Sequence, residues 1–175
     1  MKILIMTSSL DRGGAETHVC TLARSLKRKG NEVSVASGGG ELIEILQKSG
    51  INHHFLPNLS VKQGEKYHFC QLLHAKTEID RCIRNQMPTL VHSHTRICTL
   101  LAEPICRKLK IPLISTAHAH FCMNFPKNVL SRWGDGMIAV SEDILWHVAG
   151  ASLCPKLMRV IPNGIELRKI EEKSK

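Results

Sequence analysis

Short apolar runs alternate along the chain with longer segments in which apolar residues recur every three or four positions. The runs are typical of strands buried on both faces, and the longer segments of amphipathic helices. The predicted strands are Lys2–Met6, Glu32–Ser37, Ile51–Leu56, Leu90–Ser93, Pro112–Thr116, Gly136–Val140 and Arg159–Ile161. Strands that alternate with helices indicate βαβ units. We therefore expect an α/β, Rossmann-like, doubly wound and mostly parallel sheet of about seven strands, with helices on both faces.

The predicted helices each carry one apolar face. They are Ala15–Lys29, Glu41–Ser49, Tyr67–Gln86, Thr99–Leu109 and Glu142–Ala149. In the third of them, the residues predicted to be buried are Phe69, Leu72, Leu73, Ile79 and Ile83. Ser141 is placed to cap the last helix, and Gly38–Gly40 predicts a flexible turn after the second strand.

The sheet geometry restricts where a ligand can bind. In an open parallel sheet, ligands bind at the carboxyl ends of the strands, which selects the loops Thr7–Glu16, Ser37–Glu41, His92–Thr95 and Ala117–Lys127. In the first loop, Gly13 and Gly14 directly precede a helix, where free amide groups favour an anion such as a phosphate. The loop matches neither the dinucleotide-binding nor the Walker pattern, so a tight turn without a ligand is an equally good interpretation.

Two His-x-His pairs, His92 with His94 and His118 with His120, follow predicted strands. Residues two apart on a strand face the same way, so four imidazoles could converge on a metal if the two strands are neighbours. No suitably spaced cysteine or carboxylate completes either pair, and we expect no metal. A thiol nucleophile at Cys122 is a weaker interpretation than a structural cysteine. We expect the other histidines to be surface or packing residues: His18, His53, His54, His68, His74 and His147.

Composition adds information about partners and location. The net charge of +9 indicates anionic partners or, equally well, a soluble surface that happens to be basic. With four Phe and one Tyr for base stacking and no recognised motif, we expect no nucleic acid. The odd count of seven cysteines, without a C-x-x-C pair, indicates free thiols in the cytoplasm. No segment resembles a signal peptide or a membrane span. Peripheral binding at the inner, anionic membrane face is compatible with two basic clusters: Arg24, Lys27, Arg28 and Lys29, and Arg107, Lys108 and Lys110.

Several segments, in order, resemble the N-terminal part of family 4 glycosyltransferases. They are Gly13–Glu16 after the first strand, Leu90–His94, Ile111–His118, Gly136–Ser141 and Arg159–Ile165. The resemblance implies a GT-B enzyme, in which two Rossmann-like domains face a cleft. Such enzymes transfer a sugar from a nucleotide-sugar to an acceptor, with retention of anomeric configuration and without a metal or other cofactor.

The resemblance also implies roles for individual residues. Gly13 and Gly14 would lie against the donor phosphates or the reacting sugar, and Glu16 would support the loop and the helix start. His118 would be the catalytic-site histidine that contacts the transferred sugar. Thr95, Asn124 and Lys127 would line the acceptor side.

By the same resemblance, residues 1–165 correspond to the acceptor-side domain and residues 166–175 to a charged tail where the interdomain linker starts. The donor-binding C-terminal domain would lie outside this sequence or on a partner chain, and this chain alone would be inactive. We expect part of a hexosyltransferase-type enzyme acting on a glycan, lipid or small molecule. The alternatives are a non-catalytic module that binds a glycan, nucleotide or anionic lipid and, less favoured, a nucleotide-sugar epimerase.

Overall fold

Seven parallel strands form one sheet in the computed structural model, which describes residues 1–60, 66–120, 132–150, 155 and 157–164. The strands are β1 (Lys2–Met6), β2 (Glu32–Ser37), β3 (Asn52–Phe55), β4 (Leu90–Ser93), β5 (Leu113–Ala117), β6 (Gly136–Ala139) and β7 (Leu157–Val160). Their order across the sheet is β3-β2-β1-β4-β5-β6-β7. The predicted Rossmann-like sheet is confirmed.

Five α-helices connect the described strands. They are α1 (Gly14–Arg28), α2 (Ile43–Lys48), α3 (Phe69–Gln86), α4 (Arg96–Leu109) and α5 (Glu142–Ala149), and a 3-10 turn spans Pro57–Leu59. The Ser141 hydroxyl oxygen accepts a hydrogen bond from the backbone N–H of Ile144, which is the predicted cap of α5. Helix α4 begins three residues earlier than predicted, directly after the extended backbone of Thr95.

The helices cover the sheet from both sides because successive side chains of a strand point to opposite faces. On one face, Ile3 and Ile5 of β1 belong to the core that α1 and α2 complete. On the other, Leu4 and Met6 belong to the core formed with α3 and α4. A third core, around Trp133, joins β6 to α5. Burial of the central strand on both sides explains its uninterrupted apolar run.

The predicted buried face of α3 is partly wrong. Phe69 is 74% exposed and Leu73 49% exposed. The buried stripe instead passes through four residues deeper in the helix: Ala75, Ile79, Cys82 and Ile83. Two of these four buried side chains, Ala75 and Cys82, are small. At 3.6 residues per turn, Leu73 does not lie on the same face of the helix as the four.

The strand order reverses between β1 and β4, since the chain builds the sheet outward from β1 in one direction through β3 and in the other through β7. Such a switch point leaves a crevice at the carboxyl ends of the strands, and ligands of open α/β sheets bind there. The loops after β1 and β4 border this crevice.

Candidate functional site

Residues 7–14, which we call the glycine loop, follow β1 and lead directly into α1. Gly13 precedes the helix with an extended backbone, and its carbonyl accepts the N–H of Thr17. A Cβ atom placed on Gly13 would lie 2.2 Å from the carboxylate oxygen Oε2 of Glu16, whereas one on Gly14 would meet nothing within 4 Å. Glu16 therefore covers Gly13, where a carboxylate suits the positive end of the helix dipole. The space beside Gly14, at the first residue of α1, is open.

The turn after β2 fixes this loop in place, contrary to the flexible turn expected from Gly38–Gly40. The N–H of Gly38 donates to the Ser8 carbonyl (3.0 Å), and the N–H of Leu10 donates to the Gly39 carbonyl (2.7 Å). Gly40 has φ +135°, and a Cβ there would lie 2.2 Å from the carbonyl carbon of Leu10. The glycines are needed because two backbones approach each other closely.

A cluster of four histidines lies beside the glycine loop at the switch point. We call His18, His92, His94 and His118 the histidine cluster. His94 and His118 directly follow the neighbouring strands β4 and β5, and the His94 N–H donates to the Met6 carbonyl of β1 (2.8 Å). Parallel pairing thus brings three strand ends together.

Hydrogen bonds and ring contacts hold the histidine cluster. The Nδ1 of His94 and the Nε2 of His118 are 2.9 Å apart, and the Nε2 of His92 lies 2.8 Å from the hydroxyl of Thr116. The ring centroids of His92 and His94 are 4.3 Å apart. His18 approaches from α1, with its ring centroid 5.3 Å from that of His118. His92 and His94 are only 5% and 4% exposed, while His118 is half-buried at the rim.

Burial keeps these imidazoles neutral. It lowers the pKa of His92 to about 4 and that of His118 to about 4, with His18 adding to both shifts. Burial also places the pKa of His94 well below its ordinary value. At neutral pH, each ring therefore carries one proton and offers one N–H donor and one bare nitrogen acceptor.

His18 was expected to be a surface or packing residue, and the structure packs its ring against those of His94 and His118 in the cluster. It lies four residues after Gly14 on α1, so both residues are on one face of the helix. This i,i+4 spacing behind a glycine loop is the sequence signal that could have identified it. His120, in contrast, turns away from the cluster, and its Nε2 lies 3.0 Å from Oδ2 of Asp143.

The acceptor-side residues are placed only in part. Thr95 directly precedes α4 and lies next to His94, and its carbonyl accepts hydrogen bonds from the hydroxyls of Ser93 and Thr99. Asn124 and Lys127 lie outside the described residues. Cys122, the weaker thiol candidate, lies there too.

The described parts of the chain contain no group of three or more His, Cys, Asp or Glu side chains arranged to hold a metal ion. In the histidine cluster, the nitrogens of His94 and His118 that face each other are joined by a hydrogen bond. The cluster is therefore built to orient imidazoles. The five described cysteines are free thiols: Cys20, Cys70, Cys82, Cys98 and Cys106.

Residues 12–169 match the model of Glycosyltransferase Family 4. This range covers Gly13, Gly14 and every strand after β1. The chain belongs to glycosyltransferase family 4. The family expected from the sequence motifs is thereby confirmed.

Solved GT-B glycosyltransferases share the fold of this family 4 chain. HepE from Anabaena, in complex with UDP and glucose, has a TM-score of 0.74 at 16% identity, with 99% of this chain and 50% of HepE covered. Sucrose-phosphate synthase from Thermosynechococcus elongatus has a TM-score of 0.71 at 13% identity, with coverage of 95% and 49%. MurG from Acinetobacter baumannii has a TM-score of 0.65 at 16% identity, with coverage of 95% and 46%.

The family 4 chain spans about half the length of these solved structures. No curated protein sequence matches it. Among its described helices, none has the length and apolar character required to cross a membrane.

Proposed function

We propose that this chain is the acceptor-side half of a glycosyltransferase that moves a sugar from a nucleotide-sugar to a glycan, lipid or small-molecule acceptor. The observation that carries the proposal is the position of the glycine loop and the histidine cluster. Both lie at the switch point of a family 4 sheet, where open α/β sheets bind their ligands.

The glycine loop is the proposed contact for the donor phosphates or the reacting sugar. Gly14 is exposed, and nothing crowds the position of its missing side chain. The N–H groups of the first turn of α1 point toward this opening and favour an anion. Glu16 holds the loop from the other side, with its carboxylate over Gly13.

His118 is the proposed contact for the transferred sugar. Because burial lowers its pKa to about 4, it meets the sugar as a neutral hydrogen-bonding group. A neutral imidazole can bind a hydroxyl without placing a positive charge beside the developing charge of the reaction. Thr95, which directly precedes α4, is the proposed residue on the acceptor side of the same crevice.

The proposed reaction proceeds with retention and without a metal, and it requires a donor-binding domain on the other side of the cleft. Placing the donor against the acceptor is the main task of such a site. Half of a cleft holds only one reactant in position, so we expect the chain alone to turn over no donor. The solved structures HepE and MurG are about twice as long as the part that this chain covers.

A transfer assay tests the proposal. Release of the nucleotide and labelling of an acceptor are measured across a panel of nucleotide-sugars. The chain is assayed alone and with the donor-binding domain of its own source, supplied as a continuation of the polypeptide or as a separate chain. We expect transfer only in the combined form, and a loss of roughly 100-fold in His118→Ala, since misplacing a reactant costs about that much.

His120→Ala is the matched control, because this histidine pairs with Asp143 outside the cluster. Its transfer rate should equal that of the unchanged protein. Undiminished transfer by His118→Ala would remove His118 from the mechanism. Tight binding of a glycan or nucleotide without transfer in any combination would favour the non-catalytic binding module instead.

A further inference from the structure

We propose that His18 binds the ligand directly, by donating a hydrogen bond from its Nε2 to a phosphate oxygen held beside Gly14. The inference deepens the proposed function and rests on it for the identity of the ligand, the nucleotide-sugar donor. It adds a ligand-binding residue from α1 to a crevice whose other proposed contacts come from the glycine loop and the strand ends.

Helix α1 places His18 next to the open space beside Gly14. The two residues are four positions apart, so they lie on one face of the helix. The Cα–Cβ bond of a helical residue is tilted toward the helix N-terminus, and the side chain therefore extends over the turn before it. A Cβ on Gly14 would meet nothing within 4 Å. The imidazole of His18 thus borders this space without filling it.

The ring of His18 also connects this space to the histidine cluster. Its centroid lies 5.3 Å from that of His118 and 5.7 Å from that of His94. Those two histidines follow β5 and β4, neighbouring strands whose carboxyl ends border the switch point. His18 therefore lies between the opening beside Gly14 and the strand ends, inside the crevice already described.

The two ring nitrogens of His18 differ in their surroundings. Within the described chain, His92, His94 and His118 each engage one ring nitrogen in a hydrogen bond, whereas the ring of His18 makes none. The residue is half-buried, and its Nδ1 is shielded from solvent while its Nε2 is not. The Nε2 is therefore the nitrogen that a ligand in the crevice can reach.

These surroundings place the ring proton of His18 on Nε2. Burial lowers the pKa of His18 below its ordinary value, so the ring carries a single proton at neutral pH. On Nδ1, that proton would form a buried N–H group without a partner in the described chain, which is rare in folded proteins. On Nε2, it can bond to water in the free protein and to a ligand oxygen in the complex. His18 is then a hydrogen-bond donor, as a phosphate oxygen requires.

The electrostatics of this face of α1 favour a phosphate. Gly14 is the first residue of the helix, where the free N–H groups carry a partial positive charge. Glu16 follows two positions later on the opposite side of the helix, and its carboxylate covers Gly13. No carboxylate of the described chain contributes to the lowered pKa of His18. An anion beside Gly14 therefore meets N–H donors rather than acidic side chains.

Binding of inorganic pyrophosphate to the 175-residue chain tests the contact without a donor-binding domain. Backbone ¹H–¹⁵N spectra follow the amide of Gly14. Long-range ¹H–¹⁵N spectra of ring-labelled protein follow His18, whose signals are assigned by their loss in His18→Gln. We expect a protonated Nε2 in the free chain, and signals of Gly14 and His18 that shift together on titration with one Kd. A proton on Nδ1, a shift of Gly14 without His18, or no binding would each overturn the proposal.

Substitutions of His18 separate a ligand contact from packing. The amide nitrogen of Gln can stand where the histidine Nε2 is, and that of Asn where the Nδ1 is, so His18→Gln should keep most of the affinity for pyrophosphate. His18→Asn and His18→Leu should weaken binding roughly 10-fold, as expected for one lost hydrogen bond to a charged group. The matched control is His74→Gln, because His74 is exposed on α3 outside the cluster. Unchanged affinity in a folded His18→Leu variant, or equal affinity in His18→Gln and His18→Asn, contradicts the contact.

The proposed function can fail separately from this inference, because the titration requires no turnover. Pyrophosphate binding that depends on His18, in a protein that transfers no sugar in any combination, would leave the contact intact and remove its role in transfer. In an active combined enzyme, we expect His18→Asn to raise KM for the nucleotide-sugar roughly 10-fold with little change in kcat, since the bond is made before and during the reaction. His18→Gln should restore KM. Transfer with an unchanged KM in His18→Asn would remove His18 from the donor site and leave the proposed function standing.

Discussion

Buried neutral histidines make the stability of this chain sensitive to mild acid. The pKa of His92 is about 4 in the folded chain, while an unfolded histidine has its ordinary value of 6.5. The contribution of neutral His92 to the free energy of unfolding is therefore fully present above about pH 6.5. It is lost as the pH falls toward 4, because the unfolded chain binds the proton at a higher pH than the folded chain does. At 1.36 kcal/mol per pKa unit, His92 alone should cost about 2 kcal/mol between pH 7 and pH 5.

The substitution His92→Gln should remove that part of the pH dependence. Glutamine can reach the hydroxyl of Thr116 from the position of the histidine Nε2, but it does not titrate. Urea unfolding at pH 7 and pH 5 measures the effect. The control is His120→Gln, because His120 is exposed and pairs with Asp143 outside the cluster. If the free energy of unfolding of His92→Gln falls between pH 7 and pH 5 by as much as that of the unchanged chain, the lowered pKa of His92 is contradicted.

Single residues of the site could be predicted where their chemistry is visible in the local sequence. His94 and His118 belong to His-x-His pairs that follow predicted strands. This position indicates the carboxyl edge of the sheet, where ligands bind. For His18, the local sequence offers only its i,i+4 spacing from Gly14. Its helix presents several polar residues, and only the packing of α1 beside β1 and β4 shows that this one reaches His118.

At the scale of elements, the turn after β2 controls the position of the glycine loop. We expect Gly40→Ala to destabilise the chain by about 3 kcal/mol or more, since its φ of +135° is strained for any side chain and the added Cβ would overlap the backbone of Leu10. Gly30→Ala is the matched control. Gly30 has φ +82° but no atom within 4 Å of the added Cβ, so about 1 kcal/mol of strain is expected there. Equal losses in urea unfolding would show that the close approach is unimportant.

The helices and strands could be predicted where the buried residues give a regular spacing of apolar positions in the sequence. The strand Lys2–Met6 is buried on both faces and reads as an unbroken apolar run, so its bounds were predicted correctly. Helix α3 was predicted with the wrong buried residues because Ala75 and Cys82 are weak hydrophobic signals beside Phe69 and Leu73. Periodicity identifies an amphipathic helix more reliably than it selects the buried stripe.

At the scale of the whole molecule, the order of strands decides what the site can be. The hydrophobic pattern is local and does not state that β1 lies between β2 and β4. General rules for parallel sheets predicted a doubly wound sheet, and the structure supplied the order of its strands. The contact of His18 with His118 depends on it, and this is why the site could be predicted only in part.

The same architecture separates the basic ends of α1 and α4 from the crevice. Both helices start at the carboxyl edge of the sheet and end at its amino edge, so both basic clusters lie on the side away from the glycine loop. Near the end of α1, Arg24, Lys27, Arg28 and Ser49 line a cavity of about 400 Å³. At the end of α4, Arg107 is paired with Glu103 (2.7 Å), which reduces the net charge of that cluster.

We also propose that the amino edge of the sheet contacts an anionic membrane surface through the basic residues near the end of α1. Each basic residue near such a surface is worth about 1 kcal/mol, so replacing Arg24, Arg28 and Lys29 by Gln should weaken binding to anionic vesicles roughly 100-fold at low salt. Flotation with vesicles of neutral lipid, and with vesicles that also contain phosphatidylserine, measures this at two salt concentrations.

The matched control removes the same charge from other parts of the surface, by replacing Arg12, Lys66 and Lys76 with Gln. Attraction through the net charge of +9 alone would make the two triple variants equally weak. Attachment by the amino edge predicts that the control keeps most of its binding, because exposed charges farther from the membrane than about 10 Å are screened at 0.1 M salt. Equal flotation with neutral vesicles would exclude the electrostatic contact. An edge-specific result would mean that the protein binds the membrane with its crevice facing away from the lipid, open to a donor and an acceptor.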